Sequence, residues 1–99
     1  MRVIAYRPLR DFGRANPAAK SPLEAWYAEA KAKAAVWRGS KDIKAKFATA
    51  SFLKDNRIVF NIGGNKYRLV VRINYDYSLV YVRFVGTHAE YDRIDANTI

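Results

Sequence analysis

The chain has 99 residues, of which 51% are hydrophobic, with a net charge of +9 and no cysteine. This length fits one domain, which we expect to span 1–99, and the hydrophobic content predicts a folded protein rather than a disordered one. The lack of cysteine excludes disulfides, thiolate catalysis and cysteine-ligated zinc. No apolar run reaches the ~20 residues of a membrane span, and the first residues do not form a signal peptide. We therefore expect a cytoplasmic protein without a membrane partner.

Basic residues outnumber acidic ones by 18 to 9. Such an excess on a short chain favours a polyanionic partner such as RNA, or an acidic protein partner. On composition alone, a protein that is merely basic remains the alternative.

A first strand and a first helix are predicted near the start. Residues 2–6 are short, apolar and β-branched, which is typical of a strand. Pro8 suits the first turn of a helix over 9–15. The pair Asn16-Pro17 is predicted to end that helix, because a residue before proline disfavours the α region.

The second predicted helix has the clearest pattern in the chain. Ser21 and Glu24 have the capping-box spacing, with Pro22 at the first helical position, and Gly39 is the predicted stop. Apolar residues between them recur at helical spacing and are predicted to face the core rather than to form a binding site. These residues are Leu23, Trp26, Tyr27, Ala30, Ala34 and Trp37.

A short third helix is predicted from Ser40 to about Phe47. Its other side carries Lys41, Lys44 and Lys46. This lysine side is either a solvated surface or an edge that contacts RNA. Residues 48–56 are predicted to be a connecting loop, which includes Lys54.

After residue 56 the hydrophobic pattern changes from a period near 3.6 to a period of 2. Strands are predicted over 57–62, 66–74 and 79–85. The turn Gly63-Gly64-Asn65 joins the first two, since glycine tolerates positive φ, and 76–78 joins the last two. The expected result is a three-stranded antiparallel meander.

One face of this meander is almost wholly apolar, and the other collects polar groups. Helices are predicted to cover the apolar face only, which leaves the other face open. The open face is predicted to carry Val59, Asn61, Lys66, Arg68, Val70, Arg72, Tyr81, Arg83 and Val85. Arginine suits phosphate because its planar fork donates two parallel hydrogen bonds. This face is therefore either a surface that binds RNA or phosphate, or a solvated face whose charges maintain solubility.

The last predicted strand ends at a group of reactive side chains. Its alternation predicts an inward set of Val80, Val82 and Phe84. The single histidine of the chain, His88, follows the strand, with Tyr91 and Asp92 close behind and Arg83 upstream. A base, a cation and an aromatic ring at the end of a rigid element fit a small catalytic group. The alternative is a core strand followed by an ordinary surface turn.

Several catalytic classes are disfavoured by what the sequence lacks. One histidine and no cysteine disfavour a zinc site, and no exposed nucleophile turn supports a serine triad. The glycine turn lies between strands rather than before a helix, so it is a hairpin and not a nucleotide-binding loop. Metal-free RNA cleavage remains, in which the 2′-hydroxyl of the substrate is the nucleophile. His88 would act as base or acid, and Arg68 and Arg83 would hold the phosphate.

The segments NIGGNKYRLVVRINY at 61–75 and YVRFVGTHAEYDRID at 81–95 resemble the HigB toxins of the RelE/ParE superfamily. These are the toxic halves of bacterial toxin–antitoxin pairs. The resemblance extends to the RVIAYRPLRDF start and the PLEAWYAEAK helix. It implies an α+β, RelE-like fold, in which an N-terminal strand and two to three helices pack on one face of a curved antiparallel sheet. It also implies a metal-independent ribonuclease without an organic cofactor, which cuts translated mRNA at the ribosome.

Transferred residue by residue, the resemblance assigns catalysis to His88, Arg83, Arg68 and Tyr91. Whether His88 or Tyr91 is the general base stays open. The residues expected to contact RNA are Lys66, Arg72, Lys54, Asn61 and Asp92.

The resemblance also implies partners. They are mRNA in the ribosomal A site and a HigA-type helix-turn-helix antitoxin, with operator DNA contacted only through the antitoxin. The alternative is a non-catalytic protein, either a ParE-like gyrase poison or an RNA-binding module. The catalytic positions of ParE relatives have decayed. The presence of Arg68, Arg83, His88 and Tyr91 therefore favours the ribonuclease.

Overall fold

The structure is a computed structural model that describes residues 1–32 and 37–99. Its elements in chain order are β1 (Arg2–Ile4), α1 (Arg7–Ala15), α2 (Pro17–Lys31), α3 (Ser40–Lys46), β2 (Ser51–Phe52), β3 (Arg57–Ile62), β4 (Tyr67–Asn74), β5 (Leu79–Thr87) and α4 (His88–Tyr91). Within the described residues the strands form one sheet in the order β1-β5-β4-β3-β2. Only β1 runs parallel to its neighbour, β5. The predicted α+β class and the meander are confirmed.

The main core lies between the first three helices and the apolar face of the sheet. Trp26 of α2 meets Phe60 of β3 edge to face, with ring centroids 5.4 Å apart. Phe47, which follows α3, contacts the same Phe60 ring at 5.0 Å. Leu69 and Val80 are fully buried beneath them. Burial of each such side chain contributes about 1.5–3 kcal/mol, so this contact holds the sheet and the helices together.

Helix α2 differs from its prediction at both ends. It begins at Pro17 rather than at a cap on Ser21, so Pro22 lies inside the helix. Pro17 provides the same fixed φ five residues earlier and is therefore equally suited to be the first helical residue. The helix ends at Lys31, not at Gly39, because Ala32 is extended with φ −58° and ψ 141°.

The rest of the predicted helical stripe is confirmed where the structure describes it. Leu23, Trp26, Ala30 and Trp37 are buried, and Tyr27 packs against them. Ala34 lies outside the described residues. No glycine or proline marks the end of α2. Trp37 is buried, and its ring meets that of Phe47 edge to face with centroids 6.0 Å apart.

The predicted loop over 48–56 contains a short edge strand. β2 pairs antiparallel with β3, with Ser51 opposite Val59. A 3₁₀ turn over Lys54–Asn56 follows, and Asp55 and Asn56 both have positive φ. Two residues are too few to show alternation, so this strand had no sequence signal.

A β-bulge in β5 moves two side chains to unexpected faces. Val71 pairs with Val82, while Val70 pairs with Phe84, so Arg83 is the extra residue. A bulge of this kind reverses the alternation beyond it. Val85 therefore joins the core on the helix side and Phe84 the opposite face, contrary to the prediction for both residues.

The second face of the sheet is not left open. Val59, Val70 and Ala96 form a small buried cluster there. The half-buried residues packed against it are Leu53, Phe84, Tyr91 and Ile99. The segment after α4 therefore crosses the middle of this face, which corrects the expectation that helices alone provide cover.

Candidate functional site

Strand register arranges the second face in three rows. Arg57, Arg72 and Tyr81 are aligned in the first row, with the bulged Arg83 beside them. The apolar middle row aligns Val59, Val70 and Phe84, and the third aligns Asn61, Arg68 and Gly86. Because Arg68 and Arg72 are four residues apart on β4, the outer rows are separated by about 13 Å at a rise of about 3.3 Å per residue.

The third row lies next to the β3–β4 turn, and this turn fixes Arg68. Nη2 of Arg68 donates to Asn65 Oδ1 at 2.7 Å, and Nη1 donates to the Asn65 carbonyl oxygen at 3.2 Å. The guanidinium carbon lies 5.9 Å from the centroid of the Tyr91 ring, which is within cation–π range. Arg68 is half-buried, so these contacts hold a cation in one orientation at the rim of the sheet.

Helix α4 brings His88 and Tyr91 to the same end. The His88 backbone N–H donates to the carbonyl oxygen of Lys66 in the β3–β4 turn at 3.0 Å. His88 Nε2 lies 3.7 Å from Asp92 Oδ1, and both side chains are more than half exposed. The structure therefore brings together Arg68, His88, Tyr91, Asp92 and Lys66, which we call the rim cluster.

A capping box starts α4 and was missed in the sequence. Thr87 Oγ1 accepts from the Glu90 N–H at 3.1 Å, and Glu90 Oε1 accepts from the Thr87 N–H at 2.9 Å. The bond from the Thr87 N–H to this carboxylate, together with the Thr87 side chain and nearby Arg93, holds the pKa of Glu90 below its usual value. The T-x-x-E spacing at 87–90 is the sequence signal for it.

Two further predicted residues lie at the other end of the face. Arg83 and Arg72 accompany Tyr81 in the first row, on the far side of the apolar row from the rim cluster. Arg72 Nε donates to the Asp55 carbonyl oxygen at 3.2 Å, and Arg83 Nε donates to that of Ile99 at 3.4 Å. The structure thus divides the predicted site residues between two ends.

The remaining predicted RNA contacts are also divided. Asn61, in the third row, points its amide toward the Thr49 carbonyl oxygen at 3.4 Å. Lys54 is exposed on the 3₁₀ turn beside the first row. Asn61 thus shares the row of Arg68, while Lys54 lies toward Arg72.

Arg57 was not singled out in the sequence, although it is a buried cation. It is only 8% exposed; its Nε donates to the Ile99 carbonyl oxygen at 3.0 Å, and Nη1 lies 3.5 Å from an Asp55 carboxylate oxygen. A buried charge needs such partners. Arg57 therefore fastens the segment over the middle row, and the alternating pattern gave no hint of this role.

The rim cluster combines the groups needed for acid–base chemistry on a phosphodiester. It contains an imidazole, a phenol, a fixed guanidinium and an exposed lysine. Among residues 1–32 and 37–99, no group of three or more His, Cys, Asp or Glu is placed to hold a metal ion.

None of the helices in these ranges is both long and apolar enough to cross a bilayer.

The sequence of this chain matches a known family and its relatives. A family model described as HigB toxin, the RelE-like toxic component of a toxin–antitoxin system, matches residues 19–94. The mRNA interferase toxin HigB of Escherichia coli K12 is 33% identical over 94 residues, which are 93% of this chain and 88% of that protein. The mRNA interferases HigB of E. coli O157:H7 and Shigella flexneri show the same identity over the same shares of each chain.

Proposed function

We propose that this chain, which belongs to the HigB family of RelE-like toxins, is an mRNA interferase whose active site is the rim cluster. The observation that carries this proposal is the fixed guanidinium of Arg68 beside Tyr91, next to the helix that starts at His88. The interferase names of relatives that cover most of the chain support it. The family description also implies an antitoxin partner.

The proposed reaction needs no group outside the protein and the RNA. The ribose 2′-oxygen attacks the adjacent phosphorus while a base removes its proton. The bond from phosphorus to the 5′-oxygen breaks, and an acid protonates that leaving oxygen. The products are a 2′,3′-cyclic phosphate and a 5′-hydroxyl end, so each proton removed is matched by one donated.

We assign the base to His88 and the acid to Tyr91. Asp92, 3.7 Å from the His88 ring, stabilises the imidazolium that forms when the base takes the proton. Tyr91 lies against the Arg68 guanidinium and is half-buried, so its hydroxyl is held close to the phosphate that Arg68 binds. Arg68 and Lys66 stabilise the negative charge that develops on the phosphate oxygens.

The same reasoning extends to partners. We propose that the substrate is mRNA in the ribosomal A site, where the net charge of +9 favours binding to an RNA-rich surface. We propose an antitoxin of the helix-turn-helix HigA type, with an acidic segment drawn to the toxin by charge. Operator DNA would be contacted through that antitoxin only.

The test is a translating bacterial extract that contains a reporter mRNA, with the same mRNA incubated without ribosomes. The expected result is a set of new 5′ ends that appear only during translation and carry a 5′-hydroxyl. Mapping those ends gives the codon preference directly.

Intact mRNA in both samples would overturn the proposal. Accumulation of cleaved DNA–gyrase complexes would then identify a gyrase poison. RNA binding without any product would identify a non-catalytic binding module. Cleavage that leaves 5′-phosphate ends would contradict the 2′-hydroxyl mechanism while it left the interferase assignment in place.

A further inference from the structure

The first row of the second face borders a cavity that the proposed chemistry does not use. Its volume is about 610 Å³, and it is lined by Arg72, Arg83, Tyr81, Asn74, Tyr75 and Asp76, among others. Volumes of about 300–1,000 Å³ are typical of pockets for small ligands. The cavity is thus large enough for a single nucleotide.

The two arginines of this cavity are held by the main chain. Each uses its Nε to donate to a carbonyl oxygen, that of Asp55 for Arg72 and that of Ile99 for Arg83. Within the part of the chain that the structure describes, neither guanidinium lies within 4.0 Å of an aspartate or glutamate side-chain carboxylate. The terminal nitrogens of both side chains are therefore available as a fixed fork for an anion such as phosphate.

The end of this cavity that is formed by Arg72 and Arg83 keeps a net positive charge. Arg57, the cross-strand neighbour of Arg72, is paired with Asp55 and buried. Asp76 is the acidic residue of the lining, and burial, with a smaller effect of Asp42, raises the pKa of Tyr75. Like charges placed side by side on a sheet are destabilising, and a bound anion would relieve the repulsion between Arg72 and Arg83.

Aromatic rings accompany the cations. Tyr81 is the direct cross-strand partner of Arg72 and is half-buried, while Tyr75 lines the same cavity. A nucleobase stacks on such rings whatever its identity, and a guanidinium adjacent to the ring binds the phosphate. An acidic peptide would need the arginines but would gain little from the two phenol rings.

We propose that this cavity binds one nucleotide of single-stranded RNA, with its phosphate on Arg72 and Arg83 and its base against Tyr81. The inference rests on the proposed function, because it takes RNA as the substrate. The cavity lies about 13 Å from the row of Arg68, by the strand spacing given above. It therefore holds RNA beyond the cleaved bond, and Arg83 acts as a substrate-positioning residue.

The test is the binding of a short, fluorescein-labelled RNA with 2′-O-methyl riboses, which lacks the attacking hydroxyl. Fluorescence anisotropy is measured for the intact chain and for Arg72→Ala, Tyr81→Ala and Tyr81→Phe. The control is Arg14→Ala, which removes an exposed arginine from α1 on the other side of the sheet. Circular dichroism checks that each variant is folded, and cleavage of unmodified mRNA is measured in parallel.

We expect Arg72→Ala and Tyr81→Ala each to weaken binding about tenfold, which is typical of one stacking or phosphate contact. Arg72→Ala should also lower the slope of log K against log salt by about one, whereas Tyr81→Ala should not. Tyr81→Phe keeps the ring and should retain most of the affinity. Arg14→Ala should bind within about twofold of the unchanged chain, since it lies outside the cavity.

The outcomes separate this inference from the proposed function. Normal binding by Arg72→Ala and Tyr81→Ala, with mRNA still cleaved, would overturn the cavity assignment and leave the interferase intact. Binding that depends on both residues, without cleavage by the unchanged chain, would support the cavity and overturn the interferase. The unchanged chain could also fail to bind RNA and instead bind polyglutamate in a way that depends on Arg72. That result would overturn the RNA assignment in favour of an acidic protein ligand.

Discussion

The two faces of the sheet use the same alternating strands for different purposes. The helix side is apolar along each of the three long strands, and Phe60, Leu69 and Val80 are almost completely buried there. The other side has one apolar row between two polar rows, and the segment after α4 packs on that middle row and contacts the first row through the Ile99 main-chain oxygen. The first face is a continuous core. The second is a narrow apolar row of Val59, Val70 and Phe84, which we call the seam, with polar side chains at each end.

This difference explains where chemistry is possible in so small a protein. The middle row keeps water away from the centre of the second face, so polar side chains can remain accessible only at its two ends. The rim cluster and the cavity lined by Arg72 and Arg83 therefore lie at opposite ends of this face. Changes on each face should have correspondingly different effects.

The largest effect is expected from a core aromatic. Phe60→Ala should lower the free energy of unfolding by about 3–5 kcal/mol, because Phe60 is 1% exposed and contacts two aromatic rings. Phe84→Ala should cost about half as much, since Phe84 is only partly buried. Urea unfolding with an unchanged slope measures both losses. Equal losses would mean that the seam is as complete a core as the helix side.

The next largest effect is expected from a substitution in the rim cluster. His88→Ala should lower mRNA cleavage by about 10²-fold or more, equivalent to about 2.7 kcal/mol of barrier, if His88 is the general base. Its free energy of unfolding should change by no more than about 0.5 kcal/mol, because the side chain is half exposed. Lys20→Ala, an exposed change on α2, is the matched control for extract activity. Full cleavage by His88→Ala would remove it from catalysis.

Gly86→Ala tests the boundary between the seam and the rim cluster. A Cβ at this position would lie 2.6 Å from Cζ of Phe84 and 3.3 Å from Cβ of Glu90. We expect a loss of about 1–3 kcal/mol in the free energy of unfolding, because the ring must move out of the seam. Adding Phe84→Leu, which has no Cζ, should make the alanine less costly than in the parent chain. If the losses in the free energy of unfolding from Gly86→Ala and Phe84→Leu simply added, the contact between the new Cβ and the Phe84 ring would be contradicted.

The smallest expected effect is a loss of stability of α4 at acidic pH. The folded-state pKa of Glu90 is lowered by its hydrogen bonds with Thr87. Its contribution to the stability of α4 is therefore fully present above the ordinary pKa of glutamate and is lost as the pH falls through the lowered value. Amide exchange in α4, followed by NMR, should accelerate in that acidic window. Glu90→Gln, which does not titrate, should abolish this pH dependence. Acceleration that persists in Glu90→Gln would contradict it.

The sequence predicted the parts of the fold in which one pattern persists over several residues. Strands β3 and β4 and the buried stripe of α2 are long enough for their periods to show. The bulge at Arg83 was not predictable, because one inserted residue looks the same as continued alternation. The cover by Ala96 and Ile99 was missed, since a short irregular segment has no period.

The sequence named the residues of the proposed site, whereas their arrangement in space became visible only in the structure. The sequence placed His88 and Tyr91 beyond the end of β5, and strand pairing then brings Arg68 to the same end. Arg83 was grouped with them because it is near in sequence, yet a strand carries its residues steadily apart. The support that Asn65 gives to Arg68 depends on the shape of a turn, which composition does not show.

The parallel pairing of β1 with β5 has a consequence for how the molecule is synthesised. Arg2 pairs with Leu79 and Ile4 pairs with Tyr81, so the two strands are separated by most of the chain. Closing so large a loop is entropically slow compared with forming the local β3–β4 hairpin. During translation the first strand must wait for β5 to leave the ribosome. The sheet of the nascent chain therefore remains incomplete until β5 has emerged.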